Sequence, residues 1–311
     1  MRLYLDNVNL QSTTGPNSFV KRLADQLTKM GVEVVDESDG YDVALVTIEH
    51  TSRLDVTKPF VHRIDGLWFR PDDFYHRNNR IRDCYEHADA VIYQSYFDEK
   101  MVKKWFGEPR SSSVIHNGID TSVKALEFSD AVLRIRDSHE KVFVCSSTWH
   151  PQKRLSDNIE LYRKLRSVHP SSCLIVLGGG QFEMDRMCVR DEIYYTGPQT
   201  QDFCRQTFAA SDWMIHTAWL DHCPNVVLES LSQETPVICS SSGGTHEIVG
   251  SNGIVIEDAA YGFELMDYNR PPIFPIPDVK TFDLSKKQID MSSIDIRLCA
   301  EKYLDVLESV L

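Results

Sequence analysis

No stretch of this 311-residue chain approaches the ~20 consecutive apolar residues that a membrane-crossing helix needs. A helical membrane protein is thereby excluded. The eight cysteines are scattered singly from Cys84 to Cys299, with no Cys-x-x-Cys pair and no nearby His at ligand spacing. They read as small buried hydrophobes in a reducing compartment, which sets aside a disulfide scaffold and a structural zinc. No charged-then-apolar leader precedes the opening "MRLYLDNVNL", which has the look of a buried strand, so the expected location is cytoplasmic. Positive charge is scarce as well. The net charge of −13 weighs against non-specific nucleic-acid binding, whose affinity comes mostly from neutralising phosphates. The imbalance is uneven: Met1–Ala125 carries 16 Lys and Arg against 19 Asp and Glu, the remainder 17 against 27. Arg77, Arg80, Arg82, Lys100, Lys103 and Lys104 cluster in the first half, either as solvated helix faces or as a basic surface.

What is present is an alternation. Apolar runs of strand length alternate with helical periodicity almost from end to end, the pattern of parallel sheets with crossover helices. The first series of strands is "RLYLD", "VEVV", "DVALVTI", "PFVHRI", "AVIYQS" and "SSVIHNG"; the second is "KVFVCSS", "CLIVLGGG", "IYYTG", "WMIHTA", "TPVICSS" and "GIVIE". After the first strand, "TTGPN" reads as a loop into a helix whose stripe is Phe19, Leu23, Leu27 and Met30 and whose stop is Gly31. Two tandem α/β units follow, joined where strand pattern lapses between Ile119 and Lys141. The expected division is 1–122, 123–295, and a closing helix over 296–311 that packs back onto the first unit. The proline-rich "NRPPIFPIP" is too stiff and donor-poor for a central element and reads as a surface excursion.

Several motifs fail on inspection. "LIVLGGGQFE" runs a strand into glycines, but a dinucleotide fingerprint needs a small residue where Glu183 stands, the sixth position counting Gly178 as the first. No Gly-Lys-Ser/Thr of an ATP-hydrolysing P-loop occurs. There is no Asp-x-Asp suited to a nucleotide-bound cation, and "DESDG" is a polar turn, so no metal is expected. Asp221 and Glu229, eight positions apart around the start of a proline-initiated helix, could flank a sugar bond as a hydrolase pair. A hydrolase leaves unexplained the Lys of "WHPQKRL" and the glycines of "SSSGGTHEIV", both suited to anions. On spacing alone Glu229 could equally be an exposed helix residue and Asp221 a helix cap.

The order of the pieces is more specific than any piece. "VIHNGID" (Val114 to Asp120), "HPQKRL" (His150 to Leu155), "YYTGP" (Tyr194 to Pro198), "ASDWMIHTAW" and "DHCPNVVLESLSQETPVICSSSGGTHEIV" follow one another as in family 4 glycosyltransferases, which this sequence resembles over most of its length and most strongly from Val114 to Val249. The resemblance implies an α/β fold of GT-B architecture: two Rossmann-like domains with parallel sheets facing a central cleft, the first binding the acceptor and the second a nucleotide sugar. It implies retaining transfer of a sugar from a nucleotide-diphosphate sugar (UDP-, GDP- or ADP-linked) to a hydroxyl of a glycan or lipid-linked acceptor, as in polysaccharide biosynthesis, with no cofactor beyond that co-substrate. A lipid-linked acceptor would bring peripheral membrane contact.

The resemblance also assigns residues. Lys153 would neutralise charge developing on the leaving diphosphate. Asp221 stands where the family has its first Glu and would face the transferred sugar, and Glu229 would accept hydrogen bonds from the ribose hydroxyls. Pro224, suited to a first helical position, leads into Asn225 and Val226, whose amides open a helix end that favours anions. Gly15 resembles the glycine loop that lets backbone approach the phosphate and acceptor. Asp65, at the end of "KPFVHRID", takes the place of a strand-end His that touches the donor sugar; the alternative is a turn residue before Gly66. His116 and His246 are given no catalytic part. Thr148 departs from the family, which has an Arg there, and Arg154 replaces the Gly after the Lys; either Arg154 takes over the missing charge at the donor or the donor is held more loosely. "DGLWFRPDDFYHRNNR" could line an acceptor site through Trp68, Phe69 and Phe74, or those rings could be core. A different class, a sugar-nucleotide-binding protein with weak or no transferase activity, accommodates the same departures. Transfer to DNA bases is disfavoured by the charge.

Overall fold

The computed structural model describes residues 1–12, 14–36, 39–125, 127–180 and 188–311, with backbone only at 188–190. Thr13 of "TTGPN", Glu37 and Ser38 of "DESDG", and Glu183 lie outside the described residues. In chain order the elements are β1 (Arg2–Asp6), α1 (Gly15–Lys29), β2 (Glu33–Val35), β3 (Val43–Thr47), β4 (Phe60–Ile64), α2 (Pro71–His87), β5 (Ala90–Tyr93), α3 (Tyr96–Phe106), β6 (Ser112–Val114), α4 (Asp130–Ser138), β7 (Lys141–Ser146), α5 (Leu155–Val168), β8 (Ser172–Leu177), β9 (Cys188–Arg190), β10 (Ile193–Gly197), α6 (Gln201–Ala210), β11 (Trp213–His216), α7 (Asn225–Ser232), β12 (Val237–Ser240), α8 (Thr245–Val249), β13 (Gly253–Ile256) and α9 (Ile296–Ser309).

They form two compact α/β units, one of Met1–Asp120, Gly262–Asp267 and Ile294–Leu311, the other of Thr121–Tyr261 and Tyr268–Ser293. Among the described residues the first unit holds a parallel sheet in the order β2-β1-β3-β4-β5-β6. Its inner strands β3, β4 and β5 are buried along their whole length, as strands covered on both faces must be. α1 presents Phe19, Leu23 and Leu27 to the core, and α9 brings Cys299, Ala300, Tyr303 and Leu307 into the same cluster. α1 starts earlier than the sequence suggests, at Gly15, because Pro16 fits a first helical turn at no hydrogen-bond cost. Gly31, at φ +92°, ends the run as expected.

The second sheet has the order β13-β12-β11-β7-β8-β10-β9, parallel except for the antiparallel edge pair of β9 and β10. β9 and α4 are the elements that the alternation does not reveal: one is three residues long, the other buries only Val132. The proline-rich excursion proves to be anchored. Ile273 is fully exposed at its crest, but Phe274 is buried in the core of the second unit with Val279 and Leu284. In "DGLWFRPDDFYHRNNR" the residues from Pro71 onward are helix, Phe69 and Phe74 are core, and Trp68 remains partly exposed under the Arg77 guanidinium, 4.4 Å from its ring centre.

His62 on β4 is wholly buried, its Nε2 donating to the Ile48 carbonyl at 2.7 Å while Nδ1 has no hydrogen-bond partner among the described residues. Burial pushes its pKa down to about 4. The unfolded chain, with a His near 6.5, binds the proton first, so this contribution to stability is intact above about pH 6.5 and is lost as pH falls toward 4. Between pH 7 and 5 the loss is about 2 kcal/mol. Thermal melts of His62→Gln, which keeps a donor for Ile48, should show a correspondingly smaller decline over that range than the parent.

Candidate functional site

Strand order changes direction between β7 and β11, which are neighbours: the chain leaves β7 to build β8 and β10 on one side, then returns at β11 to build β12 and β13 on the other. In open parallel sheets the loops leaving the carboxyl ends at such a reversal diverge and leave a crevice for ligands. Here those loops are residues 147–154 and 217–224, and they carry Lys153 and Asp221.

The two side chains meet. Lys153 Nζ donates to Asp221 Oδ2 at 2.5 Å, and His216 Nε2, at the end of β11, lies 3.4 Å from the same oxygen. Burial works against the Asp221 charge, but the Lys153 ammonium and then the His216 imidazole hold its carboxyl well below the usual carboxylate range. Asp221 is therefore an anion at any ordinary pH, and Lys153 is pre-aimed.

Backbone and one amide fix the loops. Pro151–Lys153 makes a single 3-10 turn, with the Lys153 amide donating to the His150 carbonyl at 2.8 Å. The Trp219 amide donates to the Gln152 carbonyl at 2.7 Å, tying the second loop to the first. Asn158, buried in the first turn of α5, spans both: its Nδ2 donates to the Lys153 and Arg154 carbonyls at 3.2 and 2.8 Å, and its Oδ1 accepts from the Thr217 amide at 3.2 Å. The glycines of the remaining loops close the frame. A Cβ on Gly243, at φ +85°, would stand 2.5 Å from the Asp221 carbonyl oxygen, and the Gly244 amide donates to that oxygen at 2.7 Å. Gly180 approaches Trp149 as closely, which accounts for the glycine run that is not a dinucleotide fingerprint.

Arg154 is a correction. It was expected to offer its charge to the donor, yet its side chain is 1% exposed. Its Nη1 donates to the equally buried Asp258 at 2.5 Å, its Nη2 to the Pro272 carbonyl at 3.0 Å, and its guanidinium lies 5.4 Å from the Phe274 ring centre. The physical reason is local: Arg154 adopts the left-handed conformation, φ 50° and ψ 50°, which directs the side chain away from that of Lys153 and under the loop. Asp258 in turn accepts from the Ser240 and Ser242 hydroxyls at 2.9 and 3.0 Å. Thr148 is exposed, so Lys153 is the outward cation of the 147–154 loop.

Pro224 also moves by one place. It is the residue before α7 rather than its first, extended at φ −69° and ψ 117°, and its carbonyl accepts from the Val227 amide at 3.1 Å. Asn225 and Val226 form the first turn of α7, whose amides lack intrahelical acceptors. Glu229 is half-buried one turn on, and its charge adds to burial in pushing the Cys204 thiol of α6 up to about 11.

Gly15 and Asp65 belong to the first unit. Gly15 opens α1 and is exposed. Asp65 directly follows β4 and lies inside a polar network: it accepts from the buried Arg63 guanidinium and, at 2.7 Å, from Gln94 Nε2, while Arg63 also donates to Asn117 Oδ1 at 2.9 Å and to the Tyr303 hydroxyl at 3.1 Å. Sequence reasoning passed over Asn158, His216, Gly243 and Asp258. Of these only Gly243 left a signal, in the glycine pair of "SSSGGTHEIV". Among the described residues no three His, Cys, Asp or Glu side chains gather as metal ligands, and no helix is long and apolar enough to cross a membrane.

Residues 140–264, which include both loops and α7, match the family model "Glycosyl transferases group 1". The chain is similar over 99% of its length, and 99% of theirs, to the structure of Anabaena Alr3699/HepE in complex with UDP and glucose, with a TM-score of 0.67 at 18% identity. It is also similar to a structure described as trehalose-6-phosphate from E. coli bound with UDP-2-fluoro glucose (TM-score 0.70, 9% identity, all of both chains). Sucrose-phosphate synthase from Thermosynechococcus elongatus is a third (TM-score 0.61, 12% identity, 99% of this chain and 94% of that one). No curated protein sequence matches. The fold shared with these structures is the GT-B architecture, and the match to glycosyltransferases covers the segment 140–264.

If Arg154 is a brace rather than a donor ligand, Arg154→Leu should cost about 3–5 kcal/mol of stability, because it leaves Asp258 buried and unpaired. The double change Arg154→Leu with Asp258→Leu should recover a large part of that. Denaturant titration of the three proteins measures both.

Proposed function

We propose that the chain moves a glycosyl group, with retention of anomeric configuration, from a nucleoside-diphosphate sugar to a hydroxyl of a glycan or lipid-linked acceptor. The observation that carries this reading is the Lys153–Asp221 pair at the reversal of strand order, inside the segment matched by the glycosyltransferase family model. Lys153 lends its charge to the diphosphate as the sugar C1–oxygen bond breaks, and that stabilisation grows with the charge on the leaving group. Asp221 holds the ammonium until the donor arrives and then faces the sugar. Glu229 accepts from the ribose hydroxyls, and the first turn of α7, from Asn225 and Val226, turns its positive end to the donor's oxygens. The acceptor oxygen forms its bond to C1 on the face the diphosphate leaves, and its proton passes to the departing phosphate. No side-chain base is needed; positioning does most of the work. In the first unit, Gly15 is assigned to the approach of backbone to the phosphate and acceptor, and Asp65 to holding a sugar hydroxyl or orienting the acceptor. The UDP and UDP-glucose in similar structures favour a uridine nucleotide, with GDP- and ADP-sugars as the comparison.

One observation favours a weaker activity. With Thr148 in place of an arginine and Arg154 committed to Asp258, the loop offers the diphosphate a single permanent charge. A sugar-nucleotide-binding protein would show donor binding without product on any acceptor.

A thermal-shift screen of UDP-, GDP- and ADP-sugars identifies the donor by the stabilisation of the species that binds. With that donor, Lys153→Ala or Glu229→Ala should lower turnover about 30- to 1000-fold, equivalent to roughly 2–4 kcal/mol of lost transition-state stabilisation. Unchanged turnover in a folded Lys153→Ala protein would overturn the assignment.

A further inference from the structure

A pocket of about 250 Å³ opens in the second unit at the end of the sheet opposite to Lys153 and Asp221. Its wall is made by the first residues of the two strands that flank the order reversal, Lys141 on β7 and Trp213 on β11, together with Arg136 of α4, Asp212, Glu234 and Lys286. At ~3.3 Å per residue, the four to six residues of these strands separate the pocket from the loops that carry Lys153 and Asp221 by about 13–20 Å. It is a distinct place.

The charges there do not balance. Asp212 is committed: its Oδ2 accepts from Arg136 Nη1 at 2.5 Å and from the Val142 amide at 2.8 Å. Glu234 stands 3.6 Å from Lys124. Two cations are left over. Lys141 has only the neutral Leu284 carbonyl, at 3.1 Å, and Lys286 is exposed with no hydrogen bond or ion pair among the described residues. Arg136 engages Asp212 through Nη1, so the rest of its fork can take a second anion. Three cationic heads around one concave, mostly polar volume, with two carboxylates already matched, leave an excess of about two positive charges.

We infer that this pocket is a second binding site, for a phosphate monoester, held by Lys141, Lys286 and the free side of the Arg136 guanidinium. A phosphate monoester carries about −1.5 to −2 at pH 7, which matches the excess, and offers oxygens to all three heads at once. The site does not depend on the transfer reaction proposed above, and its test can fail separately.

Inorganic phosphate is the probe, titrated against chloride at equal ionic strength, with stabilisation read by thermal shift and affinity by calorimetry. The parent protein and Lys153→Ala, which removes the principal anion ligand at the other end, should both be stabilised by phosphate beyond chloride. Lys141→Gln with Lys286→Gln should weaken phosphate binding about tenfold or more, as expected for two lost charge-assisted contacts. Lys286→Glu alone, at an exposed position that the fold does not need, should do the same and guards against a folding defect in the double variant. The inference is overturned if phosphate adds nothing over chloride, if the pocket variants bind it as the parent does, or if Lys153→Ala abolishes the effect.

Discussion

The buried ion pair of Arg154 and Asp258 is the constraint from which the rest of the second unit's site follows. A guanidinium and a carboxylate, each almost fully removed from water, repay their desolvation only with close geometry and further hydrogen bonds. Both conditions are met, through Pro272 and the Ser240 and Ser242 hydroxyls. One end of the pair underpins the turn that lifts Lys153, and the other anchors the serine-glycine loop that holds the Asp221 backbone. A lysine and an aspartate 68 residues apart are thus brought together by a third and a fourth residue, neither of which touches them as a ligand would.

Asn158 supplies the same constraint in neutral form. Its one amide group bonds to both loops, so the carboxyl ends of β7 and β11 are held at a set separation. Rigidity of this kind matters because Lys153 acts as a point charge, whose effect falls with distance and which has no planar fork to enforce its own geometry.

The fold was readable because parallel sheets buried on both faces write themselves as uninterrupted apolar runs, and each run named from the sequence is a strand. What escaped, β9 and α4, is short or barely buried and so leaves little hydrophobic pattern. Of the ionic residues named from the sequence, Lys153 and Asp221 are brought into contact, while Glu229 lies one turn into α7. Arg154 misled because its charge is visible in sequence and its left-handed backbone is not. Asn158 and Asp258 were invisible for a related reason: each acts by bonding to main chain or to a buried partner, and such work places no demand on neighbouring residue types. The placement of Pro224 one residue early was a boundary error, of the size that helix ends commonly produce.

The first unit is not continuous along the chain. Its core, under β1, β3 and β4, is filled by Ile296, Cys299, Ala300, Tyr303 and Leu307 of the last helix, and a fully buried Arg63 rests on Tyr303. During synthesis on the ribosome, the second unit can therefore complete its sheet and interior while the earlier-made half still lacks its final wedge. The hydrophobic interior made by the first 120 residues can close only after about 170 further residues have been added.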